Sequence, residues 1–377
     1  MKIFIGKIVS IIANLIPTTN FIVFHSYPDY SDNPYALCLD IIKRGIDQTY
    51  RLIWFYDERN KRELLAKRMV EDGVNAKLVY RKSFLGLWYY IRSRYVFVSH
   101  GSFDFVKLKQ HNDKNINLWH GMPLKLLGAS EENKEPCSLN FNYTIATSKV
   151  YQKIMAEAFA CDTDKVLLTG QPRCDLLFEK TDWFSKKGIN KDYYNQVGIW
   201  MPTFRKSVFG EIRLDGTFSD NCISFLNFDK LKELDSFLKN NRTLLLVKIH
   251  LMDALQNASF PEFSNIVIIK PSEFNSQLYP LLGECDFLLT DYSSVFVDYQ
   301  ITHKPMAFVM NDIASYKNNR GFYFNNLEES LPGPILDNYK ALCDFIEKPF
   351  VKENGMKYND FFDNHSSDRV LKELGLL

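Results

Sequence analysis

The chain has 377 residues; 46% are hydrophobic, 24% are charged, and 46 Lys and Arg residues against 45 Asp and Glu residues leave a net charge of +1. These proportions are typical of a soluble globular protein with room for two domains. They argue against a disordered chain, a collagen-like repeat or a polytopic membrane protein. A charge near zero gives no reason to expect a nucleic-acid binder, which carries a strong basic excess. It still allows an anionic substrate held by a few local residues.

The amino-terminal residues 1–16 are apolar with a basic start, and Lys7, Ser10 and Asn14 recur at helical spacing as a polar stripe. The segment is shorter than the about 20 apolar residues that are needed to cross a bilayer. Two interpretations stay open. One is a helix that lies in the membrane interface, and the other is an ordinary first helix packed on the core.

After this segment, short apolar runs alternate with helical patterns, which is typical of βαβ units and of parallel sheets covered by helices. The predicted strands are Phe21–His25, Leu52–Tyr56, Ala76–Tyr80, Tyr95–Ser99, Ile116–His120, Tyr143–Thr147 and Val166–Gly170, then Val197–Met201, Leu244–Ile249, Ile266–Ile269, Phe287–Thr290 and Met306–Met310. The predicted helices are Tyr35–Lys43, Arg62–Glu71, Leu85–Arg92, Tyr151–Ala160, Leu231–Lys239, Asn275–Leu282 and Val295–Ile301.

The stretch Lys180–Gln196 is rich in Lys, Asp, Asn and Tyr, interrupts the alternation and is predicted to be a linker. We therefore expect an α/β protein with two open domains, in which ligands bind beyond the carboxyl ends of the strands. The predicted parts are an amphipathic membrane-surface helix at 1–20, a first domain at 21–178, a second domain at 190–350 and a helical tail at 351–377.

Five predicted strands end in residues that can hold a phosphate or move a proton. His120 ends one of them, Gly121 permits a tight turn there, and Pro123 fixes its exit. A histidine with a pKa of about 6.5 can accept a proton from a hydroxyl at neutral pH, although a single histidine at a strand end is more often a structural hydrogen-bonding group. Arg173 offers a planar fork for phosphate oxygens, with a salt bridge to Asp175 or another carboxylate as the alternative.

Two further strands end in cationic or hydrogen-bond-donating residues. Thr203 and Arg205 follow the first strand of the second domain, and Lys248 and His250 lie on one face of the next strand. Two such groups on an otherwise apolar strand need an anion or a carboxylate opposite them. An internal ion pair is the alternative interpretation.

The fifth strand is followed by a short polar loop and a predicted helix that Ser293 and Ser294 would cap. The first N–H groups and the dipole of such a helix form a phosphate site. An ordinary helix cap is the alternative. Five such strand ends in one chain together favour a single site for an anionic ligand.

Signatures of several other enzyme classes are absent. The chain has no P-loop, no G-x-G-x-x-G after the first strand, no H-E-x-x-H, no G-x-S-x-G and no D-x-D at a strand end. Its seven cysteines are scattered without a C-x-x-C pair, which predicts free thiols. We expect neither a metal ion nor a cofactor.

In chain order, these segments resemble the CDP-glycerol glycerophosphotransferase family of teichoic-acid and capsule synthesis. The matching segments are Ser31–Pro34, Trp119–Lys125, Gly170–Arg173, Pro202–Arg205, Lys248–His250, Thr290–Tyr299, Lys304–Asp312 with Tyr316, and Arg320–Tyr323. The chain departs from the family pattern at Met122, Cys174 and Leu251, none of which removes a charged or proton-moving group. The resemblance implies an α/β fold that is GT-B-like, with two Rossmann-type domains facing a central cleft.

The resemblance also implies roles for individual residues. His120 would be the general base, and His250 with Lys248 would hold the diphosphate of the donor. The other residues that the matching segments place at the substrate site are Trp119, Gly121, Met122, Pro123, Arg173, Pro202, Thr203, Arg205, Ile249, Ser293, Ser294 and Asp298.

The implied reaction moves a polyol phosphate from CDP-glycerol or CDP-ribitol to a hydroxyl of a lipid-linked saccharide or growing polymer, and releases CMP. The length of the chain favours addition of one or a few units. The alternatives are a GT-B glycosyltransferase that uses a UDP- or GDP-sugar, and a non-catalytic nucleotide-binding protein. The expected location is the cytoplasmic face of the plasma membrane, as a peripheral protein, and a homo-oligomer is compatible with the sequence.

Overall fold

The computed structural model describes residues 6, 9–11, 13, 15–106, 114–130, 139–203, 222–249, 260–270, 278–310, 321–324, 326–353 and 355–377. The chain forms two compact units. Unit 1 holds residues 1–122, 128–176 and 363–377, and unit 2 holds residues 123–127 and 177–362. The carboxyl-terminal residues therefore belong to the first unit.

Unit 1 is built on a parallel sheet of seven strands in the order β3-β2-β1-β4-β5-β6-β7. The strands are β1 (Thr19–His25), β2 (Arg51–Tyr56), β3 (Lys77–Tyr80), β4 (Ser93–Val98), β5 (Lys114–Asn117), β6 (Tyr143–Ala146) and β7 (Val166–Leu168). The helices are α1 (Asp32–Lys43), α2 (Arg62–Glu71), α3 (Phe84–Arg92), α4 (Lys149–Ala158), α5 (Pro172–Asp175) and the carboxyl-terminal helix (Ser366–Glu373). The strand order reverses between β1 and β4, which is where open α/β sheets bind ligands.

Unit 2 contains a parallel sheet of six strands in the order β12-β11-β8-β13-β14-β15 and a short antiparallel hairpin of β9 and β10. The strands are β8 (Gln196–Trp200), β9 (Cys222–Ile223), β10 (Leu226–Asn227), β11 (Thr243–Lys248), β12 (Ile266–Ile269), β13 (Phe287–Thr290), β14 (Met306–Val309) and β15 (Ile335–Leu336). The helices are α6 (Trp183–Lys186), α7 (Phe228–Asn240), α8 (Leu278–Glu284), α9 (Val295–Tyr299), α10 (Leu327–Ser330) and α11 (Tyr339–Glu347). Here the strand order reverses between β8 and β13.

The central strands are buried on both faces, and bulky aromatic residues fill the cores. In β2, for example, only Arg51 is exposed. Phe24 stacks on Trp54 and on Phe97, with ring centroids 5.4 and 5.6 Å apart. Helices on both sides of a parallel sheet produce such continuous apolar strands, which explains why the sequence pattern is easy to interpret here.

Each predicted strand has a counterpart in the structure, and β5 differs most from its predicted bounds. It ends at Asn117, so His120 lies in the loop that follows. The Asn117 side chain accepts a hydrogen bond from the Trp119 amide at 3.1 Å, and Trp119 has a left-handed φ of 49°. A left-handed residue cannot continue a strand, so these two features end β5 early.

Other segments also differ from expectation. The stretch predicted as a linker lies within unit 2 and contains α6, whose Trp183 and Phe184 are buried. The predicted tail is helical only from Ser366 to Glu373, and Val370 and Leu371 of that helix lie in the unit 1 core. The strand β15 and the helix α11 have no predicted counterpart.

The described residues at the amino terminus are helical and contact the core of unit 1. Ala13 is buried, and Val9 and Ile16 pack on the same hydrophobic cluster. Ile11 and Leu15 are exposed. One face of this segment is thus a core-packing face, and another presents apolar side chains to the outside. No helix in the described ranges has the length and apolar character required to span a bilayer.

The carboxyl-terminal helix begins at a carboxylate from α5. Asp175 accepts hydrogen bonds from the amides of Ser366 and Ser367, both at 2.8 Å. We expect Asp175→Ala to lower the free energy of unfolding by about 0.5–2 kcal/mol, because two amides at the start of the helix lose their acceptor. Urea denaturation measures this change.

The matched control is Asp162→Ala, which removes an exposed carboxylate that lies 3.6 Å from Lys165. An exposed ion pair contributes at most about 1 kcal/mol, so this variant should unfold almost as the unmodified chain does. Equal losses in the two variants would contradict the capping role of Asp175.

Candidate active site

His120 lies in the loop after β5 and packs against two aromatic rings. Its imidazole is 4.1 Å from the ring centroid of His100, with 4° between the planes, and 4.0 Å from the indole of Trp119. The residue remains exposed to solvent at the surface of unit 1. The stacked contact with His100 and the tilted contact with Trp119 hold the imidazole in one orientation, so it can present a nitrogen in a fixed direction.

The side chain of Asn33 holds the backbone of this loop. Its amide donates to the carbonyls of Leu118 and Trp119, each at 2.9 Å, and its oxygen accepts from the amide of Arg173 at 3.0 Å. The Arg173 guanidinium in turn donates to the carbonyl of His120 at 2.8 Å. Three segments that are far apart in the sequence therefore meet at His120.

Arg173, which the resemblance places at the substrate site, lies in unit 1 with His120. Its guanidinium is 2.7 Å from the carboxylate of Asp32, and the two side chains are only 8% and 11% exposed. Asp32 itself has a left-handed φ of 63°. An arginine that already holds a buried carboxylate and a carbonyl positions the loop, which is a structural reason for the motif. The expected alternative partner Asp175 instead caps the carboxyl-terminal helix.

The electrostatic surroundings favour a neutral His120. Desolvation by the surrounding protein lowers the pKa of His120, and the charge of Arg173 acts in the same direction. The carboxylate of Asp32 and the carbonyl of Ser99 oppose this shift without cancelling it. A neutral imidazole is the form that accepts a proton.

Two histidines near the point where the strand order of this sheet reverses were not predicted from the sequence. His100 follows β4, as His120 follows β5, and the same strand-end pattern identifies it. His25 ends β1 and lies 3.5 Å from Asp57, which also receives two hydrogen bonds from Arg81. Although burial alone would raise it, the hydrogen bonds from His25 and Arg81 hold the pKa of Asp57 below its ordinary value.

The motif residues around His120 have different surroundings. Trp119 is buried and packs edge-on against Phe159, with centroids 4.9 Å apart. Gly121 has a φ of 145°, which suits the tight turn expected there. Met122 is fully buried, so it contributes to the core of the unit. Pro123 begins the segment 123–127 that belongs to unit 2.

In unit 2, the cation Lys248 ends β11 and is half-buried. Desolvation lowers the pKa of its ammonium group to about 8. The next residue, Ile249, is buried in the core cluster, so its side chain has a packing role. His250 and Arg205, both expected at this site, lie outside the described residues.

The strand-order reversal of unit 2 brings Thr203 and Asp291 together. The Thr203 amide donates to both carboxylate oxygens of Asp291, at 3.1 and 3.0 Å, and its hydroxyl donates at 2.9 Å. This pairing ties the loop after β8, which includes Pro202, to the loop after β13. Asp291 is buried, and sequence reasoning gave it no role although it lies in a matching motif.

The helix after β13 differs from the expected phosphate cap. It has only five residues, Val295–Tyr299, and the Ser294 side chain makes no cap hydrogen bond. The Ser293 hydroxyl lies 3.5 Å from the amide of Val295, at the limit of a hydrogen bond. Asp298 is fully buried and accepts a hydrogen bond of 2.6 Å from the hydroxyl of Tyr279. This carboxylate therefore holds α8 and α9 together.

Within the described part of the chain, no group of three or more His, Cys, Asp or Glu side chains is arranged to hold a metal ion.

Each unit thus has a Rossmann-type parallel sheet, and a chain with two such units is of the GT-B-like fold class. Residues 9–374 match the sequence model of the family described as CDP-Glycerol:Poly(glycerophosphate) glycerophosphotransferase. The chain belongs to this family, and it is a transferase. The expected fold class, family and enzyme class are confirmed.

Related proteins agree with this assignment over nearly the whole chain. The chain is 28% identical to the teichoic acid poly(glycerol phosphate) polymerase of Bacillus spizizenii W23, over 98% of this chain and 96% of that protein. It is 27% identical to the teichoic acid glycerol-phosphate transferase of Staphylococcus aureus, over 95% of this chain and 94% of that protein. A polymerase and a transferase thus match equally well, so length does not separate single addition from polymerisation.

The fold is also that of a solved structure. The wall teichoic acid polymerase TagF superimposes with a TM-score of 0.73 at 22% identity, over 100% of this chain and 93% of that chain.

Proposed function

We propose that this protein transfers glycerol phosphate from CDP-glycerol to a hydroxyl of a lipid-linked saccharide or growing polymer in teichoic-acid or capsule synthesis. The family supports the donor and the pathway, since its relatives are teichoic acid transferases and polymerases. One observation supports the chemistry most directly. His120 is an exposed imidazole whose loop is fixed by Asn33 and Arg173 and whose pKa is lowered.

The proposed step is an attack by the acceptor hydroxyl on the β-phosphorus of CDP-glycerol. A bond forms between that oxygen and the β-phosphorus, and the bond from the β-phosphorus to the bridging oxygen breaks. CMP leaves with the bonding electron pair, and His120 takes the proton of the hydroxyl. A positioned base of this kind contributes about 10²–10⁴-fold to the rate.

The donor is assigned to unit 2 in this proposal. Lys248 would bind the diphosphate together with His250 and Arg205, and the loops that carry Pro202 and Thr203 would line the site. Ser293 and Ser294 supply hydroxyls and amides at the next strand end, and Asp298 holds the helix behind them. Cations and donors fixed in advance stabilise the charge that develops during phosphoryl transfer.

We also propose that the protein binds the cytoplasmic face of the membrane through unit 1. Helix α3 exposes Phe84 (95%) and Trp88 (47%), and it packs on the same core cluster as the amino-terminal segment with its exposed Ile11 and Leu15. Residues 73–103 contain five Lys and Arg residues and no Asp or Glu. Exposed apolar side chains beside basic residues suit an anionic lipid interface.

The first prediction concerns the proposed base. His120→Ala should lower CMP release by about 10²–10⁴-fold while CDP-glycerol binding is retained, because the donor residues lie in unit 2. CMP release with a lipid-linked disaccharide acceptor measures the rate, and calorimetry measures the binding. His365→Ala, at an exposed histidine outside the site, is the control.

The same assay separates the donors. The unmodified chain should release CMP from CDP-glycerol. Release from CDP-ribitol alone would favour the ribitol-phosphate relatives, one of which is a Bacillus spizizenii polymerase with 27% identity over 356 residues. Turnover of UDP-glucose alone would refute the proposed reaction. Full activity of His120→Ala would refute the assignment of His120 as the base.

A second prediction follows from the pKa of Lys248, which is about 8. Above this pH the ammonium group loses its charge in the protein without CDP-glycerol, so binding of the diphosphate must take up a proton. The affinity for CDP-glycerol should then fall by as much as about tenfold per pH unit. In Lys248→Met the affinity should be lower at neutral pH and should lack this alkaline decline. A decline of equal size in Lys248→Met would assign the titration to another group.

A third prediction tests the membrane surface. Phe84→Ser combined with Trp88→Ser should reduce co-sedimentation with phosphatidylglycerol vesicles, because two apolar side chains no longer enter the interface. The control combines Leu64→Ser and Val70→Ser, at exposed apolar positions of α2 beside Glu63 and Glu71. Equal vesicle binding by the two double variants would place the contact elsewhere.

A further inference from the structure

His100 forms the inner wall of the His120 site. It follows β4, next to the point where the strand order of unit 1 reverses, and its ring lies parallel to that of His120 at a centroid distance of 4.1 Å. The indole of Trp119 lies on the same imidazole at 4.0 Å with 39° between planes. Of these two contacts, only the one with His100 is face to face.

Hydrogen bonds fix the orientation of the His100 ring. The Ser99 hydroxyl lies 2.8 Å from Nδ1 of His100 and accepts a hydrogen bond from the Tyr27 amide at 3.2 Å. A hydroxyl can accept two hydrogen bonds and donate one, so the contact between Ser99 and Nδ1 fixes the ring orientation in either neutral tautomer of His100. The ring of Tyr27 packs edge-on against His100 at 5.8 Å.

The backbone after His100 is equally constrained. Gly101 has a left-handed φ of 85°, and a Cβ there would lie 2.8 Å from the carboxylate of Asp104. The carbonyl of Gly101 also lies 3.1 Å from Nδ1 of His25. His100 is thus held by the backbone on both sides and by its own ring nitrogen.

The charged groups around His100 come from several elements. They are His120, His25 on β1, Asp32 on α1 and Arg173 on α5. Desolvation, together with His120, His25 and Arg173, lowers the pKa of His100 to about 4, and Asp32 opposes the shift. The ring of His100 is therefore uncharged at neutral pH.

We infer that His100 is a positioning residue, whose neutral ring stacks on His120 to fix the direction of the proposed base and to shield one face from water. The inference rests on the proposed function, because the stack affects the reaction only if His120 accepts a proton. It assigns no proton transfer to His100 itself. A small misorientation of a reacting group costs as much as about 10²-fold in rate.

The test compares His100→Ala with His100→Phe. The alanine variant removes the stack and should lower kcat for CMP release by roughly tenfold to hundredfold with little change in the KM for CDP-glycerol. The phenylalanine variant keeps a flat ring without nitrogens and should recover most of the loss. An equal loss in both variants would overturn the inference, because it would show that activity depends on the ring nitrogens of His100 and not on a flat ring.

The pH profile gives a second readout. Removing the ring lets water reach His120, so its pKa should rise towards the ordinary value of about 6.5. The acid limb of kcat/KM should therefore move to higher pH in His100→Ala and stay in place in His100→Phe. An unmoved acid limb in the alanine variant would contradict the shielding.

NMR titration of the His120 imidazole separates this inference from the proposed reaction. The resonance is assigned by its loss in His120→Ala, and its titration in the two His100 variants reports the stack without any turnover. A shift of the His120 titration in His100→Ala with full activity of His120→Ala would support the stack and refute the base. No shift in either His100 variant would refute the stack whatever the activity.

Discussion

The candidate site of unit 1 depends on the buried amide of Asn33. One side chain satisfies two loop carbonyls and one amide, and these three groups belong to the loop before His120 and to the start of α5. In a low-dielectric interior, an unsatisfied carbonyl or amide costs about 1–3 kcal/mol. Another conformation of the loop would leave such groups without hydrogen bonds and would therefore be less stable. The left-handed backbone of Trp119 and the Arg173–Asp32 pair are accommodated around this centre. The chemistry proposed for His120 follows from a local polar network.

Much of the fold is predictable from the sequence because parallel strands covered on both sides are continuous apolar runs. The central strand β13, in which every residue is buried, matches its predicted bounds for this reason. The strand β15 has two residues and exists only because it pairs with β14, which no local pattern encodes. The helix α6 was not predicted because it lies in a polar stretch, where its buried residues are Trp183 and Phe184.

The site was predictable in part. A polar residue directly after an apolar run identified His120 and Lys248, because the carboxyl ends of parallel strands share one edge. The partners of those residues were not predictable in the same way. The pairing of Arg173 with Asp32, and of Thr203 with Asp291, spans many residues and depends on the order of strands in each sheet. The stack of His100 on His120 required both strand order and ring orientation.

The chain order of unit 1 has a consequence for how the protein is made. Val370, Leu371 and Leu374 lie in the same core cluster as Phe24 and Trp54, although they come after residues 177–362 of unit 2 in the chain. While a ribosome is still translating the residues of unit 2, the sheet of unit 1 lacks part of its covering layer. Unit 2 contains residues 177–362 and emerges before that layer is complete. The sheet of unit 1 is therefore translated before that of unit 2, but its hydrophobic core is covered completely only after unit 2 has been translated.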